Sequence, residues 1–417
     1  MKILIKAARI IDRSSSYHGK VMDCLIEEGV ITRIDDRIDE SDVHEVRHDG
    51  LCISPGWVDF KASFNDPGFE YRGDLSSGLD DASLGGFTHV GVLPNDNPVC
   101  DQKTAVEYKV RKAENHAVSL HPIGALSKGM EGSVLAEMYD MYQAGAHWFS
   151  DDQHEMNDGL LSRALSYSGS FDGRIIVSLQ SRAMVQHFEV NEGVASLKPG
   201  LRGHPYLSEI TTLYRAIEIA KYTQRPLHVT GISSRHSLPL LEKAHAEGVS
   251  ITSDVHVMNL CFNENATLDF DTRFKVNPVL RTEEDRLALV EAVKNNIIQA
   301  VVSDHRPYVL DEKNIEFDQA SFGCPQIKTM YNALLTLTDL GIDTVVDILS
   351  NRNRKTFEIV ERSIKVDQAA DLTLFSPNGM YQPSKNDSQG LIPYAISELQ
   401  GQVIGTIHRN KATFNLP

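Results

Sequence analysis

Apolar and polar residues alternate along both ends of the chain. Residues 2–12 and 21–35 carry a period-two apolar pattern broken by turn residues such as Glu28-Gly29, which is typical of antiparallel strands. The C-terminal runs DLTLFSP and QVIGTIH are similar, with Pro, Gly, Asn and Ser between them. We therefore predict that residues 1–50 and 366–417 together form one small, discontinuous β domain.

Between these ends the pattern changes to short apolar runs that alternate with amphipathic stretches. Residues 209–222 and 282–294 are predicted helices, and the second opens with Thr282 as N-cap and Asp285 three residues later. The apolar runs read CISPGWVDF, THVGVLP, SLHPIGAL, AHWFSDD, RIIVSLQ, PLHVTGIS, GVSITSD and AVVSDH. Their rhythm predicts the α/β fold class, as a (β/α)₈ TIM-like barrel over residues 51–365.

Composition narrows the classes of partner and compartment. Against 41 basic residues stand 57 acidic ones, and the resulting net charge of −16 argues against a nucleic-acid or anionic-membrane partner. The N-terminus lacks the apolar run of a signal peptide, and no segment approaches the ~20 apolar residues of a membrane span, so we expect a cytoplasmic location. The five cysteines form no CxxC pair and are expected to be buried, reduced thiols.

Residues 55–68, PGWVDFKASFNDPG, resemble the opening motif of the dihydroorotases of the amidohydrolase superfamily, Pro-Gly-x-x-Asp-x-His-x-His-x-Arg-x-Pro-Gly. Further similarity to that family extends over nearly the whole chain, in GGFTHV, LPNDNP, FSDD, LHVTGIS, KVNPVLR, SDHRPY and Phe322-Gly323. The resemblance implies a hydrolase of pyrimidine biosynthesis, with its chemistry at the C-terminal ends of the barrel strands.

The metal ligands of that family are mostly replaced. Carried over position by position, they fall on Lys61, Ser63, Asp152, Gln180, Gly231 and Asp304. Asp151 is an alternative to Asp152, and the fifth-strand position lies within residues 178–180, which contain no histidine. An ammonium or a serine hydroxyl is not a usual zinc ligand. We therefore expect no metal cofactor, with zinc only if the chain is an active amidohydrolase, and we interpret Asp304 as a vestigial general acid/base.

The positions that bind substrate in the family are also altered. By resemblance they are Asn65, Asn95, Asn277, Tyr308, Phe322 and Gly323. Asn65 and Tyr308 stand where the family has an arginine and a histidine, and loss of the guanidinium removes a bidentate grip on a carboxylate. Alternatively, the retained asparagines only order their loops, and His228 and His305 are core histidines.

Lys61 is the candidate replacement for the missing metal charge. Two neighbouring buried carboxylates repel, so one must take up a proton unless a cation lies nearby. We expect the Lys61 ammonium to face both Asp152 and Asp304. The alternative is a lysine that extends to solvent.

Three functions remain open. The first is a degenerate, non-hydrolytic dihydroorotase homologue with a structural or regulatory role, with aspartate transcarbamoylase as the partner that the resemblance implies. The second is an active cyclic amidohydrolase with an atypical metal site, and the third is a small-molecule binding protein that uses the emptied pocket. A homo-oligomer, a dimer, is also expected.

Overall fold

A computed structural model describes residues 1–381, 390–396 and 398–415. The strands are β1 (Lys2–Ile10), β2 (Val21–Glu27), β3 (Val30–Asp35), β4 (His44–Val46), β5 (Cys52–Pro55), β6 (Trp57–Ala62), β7 (Phe87–Val92), β8 (Ser119–Gly124), β9 (Trp148–Ser150), β10 (Arg174–Ser178), β11 (Val190–Asn191), β12 (Gly203–His204), β13 (Leu227–Thr230), β14 (Ile251–His256), β15 (Ala300–Val302), β16 (Leu372–Tyr381), β17 (Leu399–His408) and β18 (Lys411–Phe414).

The α-helices are α1 (Leu75–Leu84), α2 (Lys103–Ala113), α3 (Met138–Gln143), α4 (Asp158–Ser168), α5 (Val194–Leu197), α6 (Tyr206–Thr223), α7 (Leu238–Ala246), α8 (Val257–Cys261), α9 (Glu283–Lys294), α10 (Met330–Leu337), α11 (Ile342–Asp347) and α12 (Asn353–Thr356).

The two ends of the chain pair in one sheet. Its strand order is β18-β17-β16-β5-β1-β2-β3, with β4 on β1, and β16 runs antiparallel to β5. Alternating apolar side chains such as Ile5, Ile53, Leu374 and Ile404 pack into one buried cluster beneath it. The sheet includes β5, which lies past residue 50, while residues 382–389, 397 and 416–417 of the predicted domain lie outside the described residues.

A barrel of parallel strands follows, in the order β6-β7-β8-β9-β10-β13-β14-β15. Each of these strands overlaps one of the apolar runs of the sequence, so the predicted (β/α)₈ fold is confirmed. The barrel closes at its C-terminal rim, where the Ser63 amide donates to the His305 carbonyl over 2.8 Å and the His305 amide donates to the Lys61 carbonyl over 3.2 Å. This closure brings the ends of β6 and β15 together.

Local signals explain the helix bounds. In α9 the Thr282 hydroxyl accepts the Asp285 amide at 3.2 Å, as predicted, and acidic residues in the first turn suit the helix dipole. The helix predicted at residues 209–222 is α6, which begins three residues earlier, after Pro205.

The cysteines and the helices are consistent with what the sequence predicted for them. All five cysteines are buried with free thiols, as predicted. Among the described residues, no helix combines the length and apolar character that a membrane crossing requires.

Candidate functional site at the barrel rim

Two carboxylates meet where barrel strands end. Asp152 lies two residues after β9 and Asp304 two residues after β15, and both have a left-handed backbone, with φ of 52° and 48°. Such φ values are uncommon for non-glycine residues and occur where tertiary contacts hold them. The preceding Asp151 accepts the amides of Leu126 and Ser127, each at 2.8 Å, so its carboxylate serves the loop and Asp152 faces the rim.

Arg306 lies between these two carboxylates. Its Nη1 and Nη2 donate to Asp152 Oδ2 and Oδ1 at 2.8 and 2.6 Å. Its Nε is 3.1 Å from both oxygens of Asp304, and Nη2 also donates to Asp304 Oδ1 at 2.9 Å. All four carboxylate oxygens therefore accept hydrogen bonds from one guanidinium. The planar fork of arginine suits such double contacts.

The electrostatics match this geometry. Burial by itself raises the pKa of Asp152 and Asp304, but the charge of Arg306, with smaller contributions from Lys61, holds both pKa values below the ordinary range. Burial acts to lower the pKa of Arg306, and the two carboxylates outweigh it, so this pKa lies well above its usual value. The three groups remain charged at neutral pH.

Lys61 meets the expectation only in part. Its side chain is only 4% exposed, which excludes the solvent-directed alternative, and Nζ lies 3.7 Å from Asp152 Oδ1. Lys61 was expected to face both Asp152 and Asp304, and it does lower the pKa of both, but the cation in direct contact with both acids is Arg306. A guanidinium has five N–H donors in one plane and can bridge two carboxylates, which a compact ammonium does less well.

The remaining former ligand positions hold none of the usual zinc donors. Ser63 and Asn95 bond each other, with the Ser63 hydroxyl donating to Oδ1 at 3.1 Å and Asn95 Nδ2 donating to Oγ at 2.9 Å. Gln180 Nε2 donates to Asn277 Oδ1. Gly231 has no side chain, and its φ of +79° is a conformation that favours glycine.

These residues do not fit zinc. A zinc site takes oxygen ligands at about 2.0–2.2 Å and excludes a cation from the same position. Here Arg306 nitrogens lie against every carboxylate oxygen. The imidazole of His256 also lies near this cluster, with Nδ1 3.6 Å from Asp304 Oδ2. Burial lowers the pKa of His256.

The substrate-binding positions of the family are also engaged internally. Asn65 Nδ2 donates to the Pro307 carbonyl at 3.4 Å, and the Tyr308 hydroxyl donates to the Phe322 carbonyl at 3.0 Å. The Gly323 amide donates to the Lys275 carbonyl at 2.8 Å. With Asn95 and Asn277 paired as above, each of these residues orders the loops around the rim.

The cavity among the former ligand positions is small, and it is distinct from one of about 170 Å³ that His305, Pro307 and Tyr308 line. The small cavity measures about 20 Å³ and is lined by Lys61, Gln180, Gly231, His256 and Asn277 together with neighbouring residues. One water needs about 10–15 Å³ on this scale. This arrangement therefore has room for about one water molecule.

Two histidines of the motifs are satisfied core residues. His228 Nε2 lies 3.0 Å from Asp254 Oδ2, and its Nδ1 lies 2.8 Å from Thr252 Oγ1. His305 Nδ1 accepts the backbone amides of Gln326 and Ile327 at 3.0 and 3.2 Å. Burial lowers the pKa of His305 to about 3, which keeps the ring neutral and able to accept.

Arg306 and His256 are members of the site that the sequence motifs did not predict. Arg306 had a visible signal, since SDHRPY has arginine where the related motif Thr-Asp-His-Ala-Pro-His has alanine. His256 ends β14 in a segment that matched none of the motifs, so only the fold places it there.

Comparison with known proteins agrees with the fold and the motifs. Residues 50–237 match a model of the dihydro-orotase-like family. A dihydroorotase of Syntrophotalea carbinolica is 32% identical over 425 residues, covering 100% of both chains. One of Acetivibrio thermocellus is 34% identical over 382 residues, covering 90% of this chain and 89% of the relative.

Solved structures give the same architecture at lower identity. The L-hydantoinase (dihydropyrimidinase) of Arthrobacter aurescens superposes with a TM-score of 0.81 at 20% identity, over 98% of this chain and 95% of that one. The dihydropyrimidinase of Brevibacillus agri gives 0.79 at 18%, over 99% and 95%. At such identity the likeness concerns the fold alone. With the barrel, the motifs and the full-length relatives taken together, this chain belongs to the dihydroorotase family of the amidohydrolase superfamily.

Proposed function

We propose that this protein is a non-hydrolytic member of the dihydroorotase family, in which an internal cation stands in the place of the catalytic metal. The observation that carries the proposal is the contact of Arg306 with all four oxygens of Asp152 and Asp304. A guanidinium neutralises the two acids but supplies no open coordination position for a water or a carbonyl oxygen.

Hydrolysis of a cyclic amide needs a strong nucleophile and a polarised carbonyl. A bound metal provides both by lowering the pKa of its water and acting as a Lewis acid. In this chain the carboxylate that would move a proton, Asp304, instead accepts three contacts from Arg306, and its lowered pKa makes it a weak base. The contacts of Asp304 and Arg306 therefore favour a structural role for both residues.

The two alternatives require a rearrangement of the rim. An active amidohydrolase would need Arg306 to leave the carboxylates, and a binding protein would need the pair Gln180 and Asn277 to separate. In the present arrangement a cavity of about 20 Å³ is smaller than any cyclic amide.

If this protein has a structural or regulatory role, the enzymatic activity belongs to a protein that it binds. We call this the scaffold role. Aspartate transcarbamoylase is the partner that the family resemblance suggests, and a second copy of this chain is the other candidate. Candidate contact residues lie along α6, where Leu207, Tyr214 and Tyr222 are 50%, 53% and 85% exposed.

Ring opening of dihydroorotate tests the proposed lack of hydrolysis. Purified protein is assayed with added Zn²⁺, Mn²⁺ or Co²⁺, and turnover at the level of the metal-only blank is expected. Turnover that Asp304→Asn abolishes would establish the active alternative and overturn the proposal.

Size-exclusion chromatography with aspartate transcarbamoylase at micromolar concentration tests the scaffold role. We expect co-elution that Tyr214→Ser with Tyr222→Ser weakens. Separate elution of the two proteins would count against this partner.

A further inference from the structure

A second cluster of chemically capable side chains lies where the barrel meets the small sheet, away from Lys61 and Arg306. It contains His89 of β7, Asp371 immediately before β16 and His408 at the end of β17. One donor atom from each lies within 4.8 Å of the others. Nothing in the proposed function uses these residues.

The distances suit a single metal ion. His89 Nε2 lies 3.0 Å from Asp371 Oδ2, and His408 Nδ1 lies 3.4 Å from Asp371 Oδ1. Nitrogen and oxygen ligands at about 2.0–2.2 Å from one tetrahedral zinc are about 3.3–3.6 Å apart. These two distances end on different oxygens of Asp371, and the three donor atoms lie within 4.8 Å of one another, so side-chain rotations are needed to bring one donor from each residue onto a single ion.

An unsatisfied oxygen points to the same conclusion. Asp371 is 3% exposed, and its Oδ1 has no hydrogen-bond partner. The other oxygen, Oδ2, accepts from Arg354 Nη2 at 2.7 Å, so the arginine holds the carboxylate in place and leaves Oδ1 available. A buried carboxylate oxygen without a donor is costly unless a ligand completes it.

The outer contacts of the two imidazoles fit metal ligation. His89 Nδ1 lies 3.0 Å from His121 Nε2, and His408 Nε2 lies 2.9 Å from Ser119 Oγ. If each ring donates its outer N–H to that neighbour, its other nitrogen presents a lone pair towards Asp371. Ligating histidines are usually fixed by such a contact.

Access from outside the fold also agrees with a site. A cavity of about 400 Å³ lined by His89, His121 and Trp148 reaches the cluster. A metal site needs deprotonated ligands and a path for the ion.

We propose that His89, Asp371 and His408 bind one divalent transition-metal ion of the zinc type, which fastens the small β sheet to barrel strand β7. Two imidazoles and one carboxylate form a donor set that suits such ions, and water completes the coordination. The ion is structural and independent of the rim, where Arg306 excludes a metal.

Calorimetric titration of the chelator-treated full chain with Zn²⁺ tests this site, with Co²⁺ absorption as a second readout. We expect one Zn²⁺ per chain, an increase in melting temperature and a Co²⁺ spectrum of nitrogen and oxygen ligation. His408→Gln, at a side chain 13% exposed, should weaken binding by at least about tenfold, and His121→Ala by about 10–100-fold.

Two variants serve as controls. His116 lies 3.1 Å from Asp80 at the surface, so His116→Gln removes a similar histidine–aspartate pair and should leave zinc affinity unchanged. Asp304→Asn, at the rim, should also leave it unchanged. No zinc bound by the wild-type chain, or equal binding by His408→Gln, would overturn the proposal.

The titration separates this inference from the proposed function. The wild-type chain could bind two ions, one lost only in His408→Gln and the other lost only in Asp304→Asn. That result would support the site at His89, Asp371 and His408, and it would overturn the proposal that the rim holds no metal. Zinc lost only in Asp304→Asn would overturn both.

Discussion

The guanidinium of Arg306 contacts Asp152 through two parallel hydrogen bonds, Nη1 to Oδ2 at 2.8 Å and Nη2 to Oδ1 at 2.6 Å. Both side chains are buried, 7% and 5% exposed. Arg306 also bonds Asp304, so a buried ion cluster occupies two positions that ligate metal in the family.

Removal of the Arg306 charge should destabilise the protein strongly. Arg306→Met leaves two buried carboxylates beside Lys61 and His256, and breaking a buried ion pair typically costs about 3–5 kcal/mol. The free energy of unfolding from urea denaturation measures this. Arg37→Met is the matched control, because Arg37 pairs with Asp39 at 3.1 Å but is 78% exposed and should cost less than about 1 kcal/mol.

The same variant should acquire a pH-dependent loss of stability between pH 4 and 7 that the wild type lacks. In the wild type, Asp152 and Asp304 have pKa values lower than in the unfolded chain. They add stability that is complete above the unfolded value, about 3.9, and is lost as the pH falls through the folded values. Between pH 4 and 7 these groups therefore contribute no decline.

In Arg306→Met burial raises the pKa of one of these two carboxyls, because the remaining cation, Lys61, lies farther from Asp152 than Arg306 does. A raised folded pKa gives stability that falls as the pH rises from about 4 towards 7. Urea midpoints at several pH values report this difference. Parallel curves for the two proteins would contradict the electrostatic account.

The barrel and the candidate loops could be predicted from sequence because period and motif order are local signals. The eight apolar runs placed every barrel strand, and Thr282 marked the start of α9. The position of each residue in the motifs did not show whether Lys61 or Arg306 would contact both carboxylates. Lys61 occupies a former ligand position, but Arg306 reaches both acids because its chain turns back at Asp304, where φ is 48°.

Lys61 should contribute less than Arg306. Its ammonium is 3.7 Å from Asp152, which keeps both Arg306 bonds when Lys61 is absent. We expect Lys61→Met to lower the free energy of unfolding by more than about 1 kcal/mol and by less than Arg306→Met. Lys103→Met, at a lysine 53% exposed and 3.9 Å from Glu107, is the control and should have little effect.

Gly231 should resist replacement for reasons of backbone and space. A Cβ there would lie 3.2 Å from His256 Nε2 and 3.1 Å from Pro278 Cδ, at a φ of +79°. Gly248 has a similar φ of +73° with nothing within 4 Å of its Cβ position. Both alanine variants should lose about 1–2 kcal/mol from the left-handed backbone, and Gly231→Ala should lose more. Equal losses in urea denaturation would show that the contact with His256 has no cost.

The most direct measurement of the central claim is anomalous diffraction at the zinc edge from crystals soaked in Zn²⁺. The account predicts no anomalous peak between Asp152 and Asp304, and guanidinium density of Arg306 in contact with both carboxylates. A zinc peak within about 2.5 Å of either carboxylate, with Arg306 displaced, would contradict it.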